Sequence, residues 1–172
     1  TSICDDLLDT YVATCDQEIY DYIQSIGGKA IMTDDKHERA TDRTTEAMIL
    51  IENNMKEKID IIVMVQGDEP MVTPKMISES LKPFKVDNSV NVVNLMANIG
   101  TVEEFEDPNE VKVVVNKYNN AIYFSREPIP SRKKGVQKAP MLKQVCIIPF
   151  RRDLLITFKN LPPTPLETIE SE

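Results

Sequence analysis

The run Ile59-Asp60-Ile61-Ile62-Val63-Met64-Val65 is apolar on both faces apart from Asp60. A strand with this pattern has no face to offer water, so it belongs in the middle of a sheet covered by helices, as in parallel α/β proteins. Directly after it comes Gln66-Gly67-Asp68-Glu69-Pro70. The backbone turns at a glycine, and an acidic residue stands at the strand's carboxyl end, where open α/β sheets bind their ligands. An aspartate there is well placed to hold a divalent metal against a phosphate. The same five residues also read as a plain turn with Asp68 in solvent, and residue types alone leave both readings open.

The chain has 172 residues, enough for one domain with a sizeable core. Hydrophobic residues make up 41% and charged residues 28%, a soluble globular profile. Acidic residues outnumber basic ones, 28 to 20, giving a formal net charge of −8. That argues against non-specific binding to nucleic acid or to an anionic membrane, but a nucleotide needs only a few local cations. No apolar run is long enough to span a bilayer, and no basic segment followed by an apolar one opens the chain. Cys4, Cys15 and Cys146 are odd in number and form no CxxC pair. They are expected as free thiols of a reducing cytosol, with Cys15 and Cys146 as packing residues.

Along the chain, strands and helices alternate. Tyr11 to Thr14 reads as a strand and Gln17 to Ile26 as a helix stopped by Gly27-Gly28. Ile19, Tyr22, Ile23 and Ile26 fall at helical spacing within it. Lys29 to Met32 is a strand, Thr33 to Thr41 a polar turn, and Arg43 to Met55 a helix with one apolar face. Pro74 starts the next helix, and Val90 to Ala97 is a further strand. This alternation predicts a parallel, doubly wound sheet. After residue 100, Val111 to Val115 and Ala121 to Phe124 flank a polar turn and predict an antiparallel hairpin. The basic loop Arg132-Lys133-Lys134-Gly135, a strand at Val145 to Ile148, a helix over Arg151 to Phe158 and a last helix from Leu166 complete the pattern. No linker separates independent domains, so residues 1–172 read as one domain with an excursion. The chain opens almost on a strand and stops within a turn of a new helix, which is expected of a fragment lacking sequence at both ends.

Several segments, in order, resemble one family. They are Val12-Ala13-Thr14, Gly27-Gly28, His37 to Arg43, Val65 to Pro70, Pro108 to Val114, Tyr123-Phe124-Ser125-Arg126, Ile129-Pro130 and Pro163-Thr164-Pro165-Leu166-Glu167. Their order and spacing are similar to the 3-deoxy-manno-octulosonate cytidylyltransferases, the CMP-KDO synthetases. The resemblance covers nearly the whole chain and implies a Rossmann-like nucleotide-diphospho-sugar transferase fold, mainly a parallel sheet with an antiparallel hairpin excursion. It also implies a cytoplasmic homodimer that uses Mg²⁺ to join CTP and an eight-carbon sugar acid into CMP-sugar and pyrophosphate for lipopolysaccharide synthesis.

Through the resemblance, Asp68 is the Mg²⁺ ligand and Gln66 a sugar-acid contact. Arg43, which closes the His-x-x-x-Thr-Asp-Arg pattern, is a substrate or phosphate contact; without the resemblance it is an ordinary first-turn residue. Arg126 corresponds to an arginine that meets the sugar acid, and a guanidinium pairs well with a carboxylate. Glu167 and Glu170 share a helix face, in a region the family uses for sugar hydroxyls; a solvated helix start is the alternative for both. Lys112 could face solvent or a dimer partner, and His37 is structural or exposed rather than a base. The family has glycine before the threonine where this chain has Ala40.

Two departures bear on substrate. Gln144 stands where the family has a sugar-contacting histidine, and Cys146 where it has glycine. These changes predict a divergent branch taking KDO or a modified relative such as an amino octulosonate. The resemblance places the loop that holds CTP and a second acidic Mg²⁺ ligand outside these residues, so the chain alone is expected to bind CTP poorly. The competing readings are an acylneuraminate-type cytidylyltransferase, which the Phe-Ser-Arg and Pro-Asn-x-Val-Lys-Val-Val segments disfavour, and a non-catalytic fragment that keeps the fold. Nucleotide titration with and without Mg²⁺ separates the non-catalytic fragment from the enzymes, and a turnover assay with CTP and a panel of sugar acids reads substrate preference; the expected outcome is no CMP-sugar from these 172 residues by themselves.

Overall fold

The computed structural model describes residues 4–133 and 139–171, with side chains through Ile169. Lys134 and Gly135 of the basic loop, and the side chain of Glu170, lie outside the described residues. The chain divides into two compact units, one formed by residues 1–93 and 146–161 and the other by residues 94–145 and 162–172.

The first unit begins with β1 (Val12–Thr14), α1 (Gln17–Ser25) and β2 (Ala30–Met32), and β1 and β2 pair in parallel. The Asp16 side chain caps α1 by accepting from the amides of Glu18 and Ile19. The helix stop is chemical. Gly27 adopts φ +77°, its amide bonds to the Gln24 carbonyl, and the Gly28 amide reaches back to Ile23, as in a Schellman ending. The apolar stripe of α1 is not core: Tyr22 is 63% and Ile26 61% exposed, and the helix buries no residue.

Next come α2 (Ala40–Met55), β3 (Ile61–Val65) and α3 (Pro74–Val86), which starts at Pro74 as expected and is capped by the Thr73 side chain. The unit closes with β8 (Ile147–Arg151) and α5 (Arg152–Lys159). The α/β class is as expected, but the pairing of the long apolar strand differs. Among the described ladders, β3 pairs antiparallel with β8, from Ile61 opposite Arg151 to Val65 opposite Ile147. An apolar run encodes burial on two faces and carries no direction. The partner here is a strand reached only after a long excursion. Met48, Met64, Ile148, Phe150 and Leu155 form the core cluster, with Ile59, Ile62, Leu154 and Ile156 packed on it.

The second unit holds β4 (Leu95–Asn98), α4 (Val102–Glu106), β5 (Lys112–Val115), β6 (Ala121–Ser125), β7 (Leu142–Val145) and α6 (Pro165–Ser171). Its sheet has the order β4-β7-β5-β6 with every neighbour antiparallel. The expected hairpin is β5–β6. The expected strand Val90 to Ala97 is divided: Val92 only bridges to Phe150, and β4 starts at Leu95 in the other unit's sheet. The expected strand Val145 to Ile148 is likewise two strands, β7 and β8, which meet at Cys146. Helix α4 carries too few apolar positions to show a helical period, and the sequence pattern missed it.

A bidentate ion pair fastens the start of α5 to the last turns of α2. Arg152 Nε lies 2.6 Å from Glu52 Oε1 and its second terminal nitrogen 2.9 Å from Oε2. Glu52 Oε1 also accepts from the Ile59 amide at 2.9 Å. The Arg152 hydrogen bonds outweigh burial and hold the Glu52 carboxyl below its ordinary 4.5. A depressed carboxylate pKa stabilises the fold above the unfolded value and loses that stability as pH falls through the folded value. Glu52→Ala is therefore expected to lower the melting temperature by about 5 °C at pH 7. The difference from wild type should shrink as pH drops below about 4.5, measured by thermal melts across pH 3–7.

Candidate functional site

The turn after β3 is held by one of its two acids, and by the one the sequence reading passed over. The Gln66 amide bonds to the Cys146 carbonyl at 3.2 Å, continuing the β3–β8 ladder by one residue. The Glu69 amide then closes the turn on the Gln66 carbonyl at 3.2 Å. Glu69 Oε1 accepts the Cys146 amide at 2.8 Å, so this carboxylate is committed to backbone. Asp68 is exposed and has no hydrogen bond or ion pair among the described residues. Gly67 needs no unusual backbone, and a Cβ built there meets nothing within 4 Å. The glycine therefore leaves the backbone beside Asp68 open to close approach. The Gln66 side chain is half-buried, and its amide makes no hydrogen bond among the described residues.

Arg43 sits in the first turn of α2. Its NH1 donates to Thr33 Oγ1 at 2.6 Å and to the Asp34 carbonyl at 3.3 Å, tethering the segment after β2 to the helix. His37 and Asp34 reinforce the tether. The His37 ring bonds to the Glu46 carboxylate, which also accepts the Asp34 amide at 3.1 Å. The His37 contact pulls the Glu46 carboxyl below its usual range. Lys36 bonds Asp34 through side chain and backbone and holds its carboxyl at about 2. His37 is thus structural, as the sequence suggests, and the geometry gives Arg43 an anchoring role. Cys15 is exposed, contrary to the expectation of a packing residue: it lies just past β1, where the chain turns toward α1 and offers no core. Cys146 is half-buried between the two strands.

In the second unit, β5 lies between β6 and β7. Lys112 stands opposite Ser125 on one side and Lys143 on the other. Arg126 and Gln144 are the next residues on each flank, so the register brings these two expected contacts to one level of the sheet. Gln144 is half-buried and its amide N–H donates to the Val111 carbonyl at 2.8 Å, while its side-chain amide has no hydrogen bond among the described residues. Arg126 is exposed, and its NH1 donates to the Pro108 carbonyl at 3.0 Å. Lys143 pairs with Glu104 at 2.8 Å and Glu110 at 3.1 Å, which raises its pKa and lowers that of Glu104.

Glu167 lies at the start of α6. Its Oε2 accepts the Thr164 amide at 3.3 Å while Thr164 Oγ1 accepts the Glu167 amide at 3.2 Å, a reciprocal capping box. Thr-Pro-Leu-Glu carries that signal in sequence, and the cap accounts for the glutamate without a ligand. Among the described residues no group of three His, Cys, Asp or Glu side chains could hold a metal. No described helix is long and apolar enough to cross a membrane.

A cytidylyltransferase family model matches residues 3–172. The chain belongs to the cytidylyltransferase family. It is 40% identical over 163 residues to the 3-deoxy-manno-octulosonate cytidylyltransferase of Escherichia coli, covering 95% of this chain and 63% of that protein. It is 35% identical to the enzyme of that name from Acaryochloris marina, covering 97% of this chain and 66% of the relative. Among solved structures, it is similar to a CMP:2-keto-3-deoxy-manno-octonic acid synthetase complexed with CTP. That match has a TM-score of 0.87 and 38% identity, and covers 98% of this chain and 67% of the other. The chain thus spans somewhat less than two thirds of the length of these curated cytidylyltransferases.

The two acids of this cytidylyltransferase turn separate in a simple experiment. Removing a carboxylate that satisfies a partly buried amide costs about 1–3 kcal/mol locally. Glu69→Ala should speed hydrogen exchange at the Cys146 amide at least about tenfold. Asp68→Ala should leave it unchanged, and two-dimensional NMR would read both.

Proposed function

We propose that this chain carries ligand-binding residues of a CTP-dependent nucleotidyltransferase that activates KDO or a close relative for lipopolysaccharide synthesis. In the reaction the sugar's anomeric hydroxyl oxygen attacks the α-phosphorus of CTP and loses its proton. The α–β phosphoanhydride bond breaks, and CMP-sugar and pyrophosphate leave. What supports this reading most is the combination of the family match with one freed carboxylate: Glu69 holds the turn, and Asp68 has no partner among the described residues.

One exposed carboxylate suits Mg²⁺, which binds through one or two carboxylates and completes its octahedron with water and substrate phosphates. Asp68 would hold the ion, and the ion would supply charge neutralisation at the phosphates. Open space beside Gly67 lets a phosphate approach the backbone. In the second unit, Arg126 would meet the sugar acid's carboxylate through its free guanidinium edge, and the unpaired amide of Gln144 would bond a sugar hydroxyl. Glu167, engaged in its cap, and Glu170 are second-rank candidates for the same sugar. Arg43 acts by fixing the segment after β2. We further propose a cytoplasmic setting and a homodimer, for which the exposed Ile122 on the edge strand β6 gives an apolar contact.

Calorimetric titration tests the reading. CTP is expected to bind more tightly with Mg²⁺ than without, and Asp68→Asn to remove about tenfold of affinity in Mg²⁺ only. KDO should bind in preference to N-acetylneuraminate. Equal CTP affinity with and without Mg²⁺ in both proteins would overturn the assignment of Asp68, and a preference for N-acetylneuraminate would favour the acylneuraminate-type enzyme.

A further inference from the structure

Lys112 is fully buried, the largest such side chain among the described residues. Burial lowers its pKa against the pull of Asp107, Glu127 and Glu110, with Arg126 opposing them. An ammonium in that position is costly unless its donors are satisfied. Two of its three N–H donors are met, both by backbone: Nζ donates to the Asp107 carbonyl at 2.8 Å and to the Glu110 carbonyl at 2.7 Å. These carbonyls are the two ends of one turn. The Glu110 amide closes the turn on the Asp107 carbonyl at 3.2 Å. Asp107 Oδ1 accepts from the Asn109 amide at 2.8 Å and from its side chain at 2.9 Å.

Pro108 lies inside this turn, and its carbonyl accepts the Arg126 NH1 donor at 3.0 Å. Lys112 and Arg126 therefore both donate to carbonyls of the same four residues. Their strands fix the spacing, since Lys112 stands directly opposite Ser125, the residue before Arg126. Lys143 adds an outer hold through the Glu110 carboxylate, but it touches neither carbonyl that Lys112 uses. Without the amine, the Asp107 and Glu110 carbonyls lose a shared buried donor and Pro108 loses its fixed place.

We propose that Lys112 is a positioning residue for the sugar-acid site: it locks the Asp107–Glu110 turn so that the Pro108 carbonyl holds the Arg126 guanidinium in the orientation that receives a carboxylate. This rests on Arg126 meeting the sugar acid, as proposed above. The chemistry needs a long donor that spans two carbonyls from inside the sheet. Lysine supplies two such donors whether its amine is charged or neutral.

A double-mutant cycle on the chain, read by titration with KDO and separately with CTP, tests it. Lys112→Met keeps the length and removes the donors. It should weaken KDO binding about tenfold and change CTP binding less than about twofold, at a temperature where melts show the variant folded. In the Arg126→Ala background, Lys112→Met should cause no further loss of KDO affinity, because its effect passes through Arg126. Lys112→Gln, which keeps one donor arm, should fall between and gives the same comparison if Lys112→Met does not fold. Equal losses for KDO and CTP, or a Lys112 effect that persists in full without Arg126, would overturn the proposal and leave a purely structural lysine. If Arg126→Ala itself leaves KDO affinity intact, the sugar-acid role of Arg126 is wrong and the inference falls with it.

Discussion

The first unit is organised by the return of the chain at residues 146–152. Strand β3 is apolar on both faces, and β8 pairs along one side of it with five residue pairs from Ile61–Arg151 to Val65–Ile147. The same segment supplies Ile148 and Phe150 to the core and starts α5, whose Arg152 seals onto Glu52. It also finishes the turn after β3, because Cys146 gives its carbonyl to Gln66 and its amide to Glu69. Backbone pairing, core packing, a bidentate ion pair and the shape of the candidate metal-bearing turn all depend on one short stretch lying in one register.

The second unit rests on a different principle. Its sheet is antiparallel throughout, and the candidate contact Arg126 and the buried Lys112 are set by cation-to-carbonyl bonds. Arg126 and Lys112 both end on main-chain oxygens of the Asp107–Glu110 turn. Glu104 and Glu110 share Lys143 on the outside. A network of this sort fixes orientation because a buried donor that loses its acceptors is left as an unsatisfied polar group.

Much of this was legible in the chain. Turn and helix-start chemistry is local, so the Gly27-Gly28 stop, the Pro74 start and the β5–β6 hairpin could be placed from residues alone. The candidate turn could be placed for the same reason. Non-local facts could not. Nothing within Ile59–Val65 says that its partner is residues 147–151 running the other way. Lys112, a lone charge in an apolar strand, reads as a solvent-facing lysine; only the fold of the preceding turn shows what holds it in the interior. Glu69 was overshadowed by Asp68 because the identity of a carboxylate does not say which of two neighbours will be used by the backbone. Glu167 was readable either way, and its Thr-x-x-Glu spacing favoured the cap that the structure contains.

The Glu69–Cys146 bond joins residues 77 apart in sequence. As the chain is synthesised, residues 66–69 leave the ribosome long before their partner exists. The whole antiparallel excursion must be made before the turn can take its shape. A loop of that length closes late and slowly. The turn that presents Asp68 is therefore among the last parts of the first unit to become ordered, and the nascent chain exposes an apolar strand edge at Ile61–Val65 until it does. For this chain, acquiring a ligand-ready turn and hiding its most aggregation-prone segment are the same event in time.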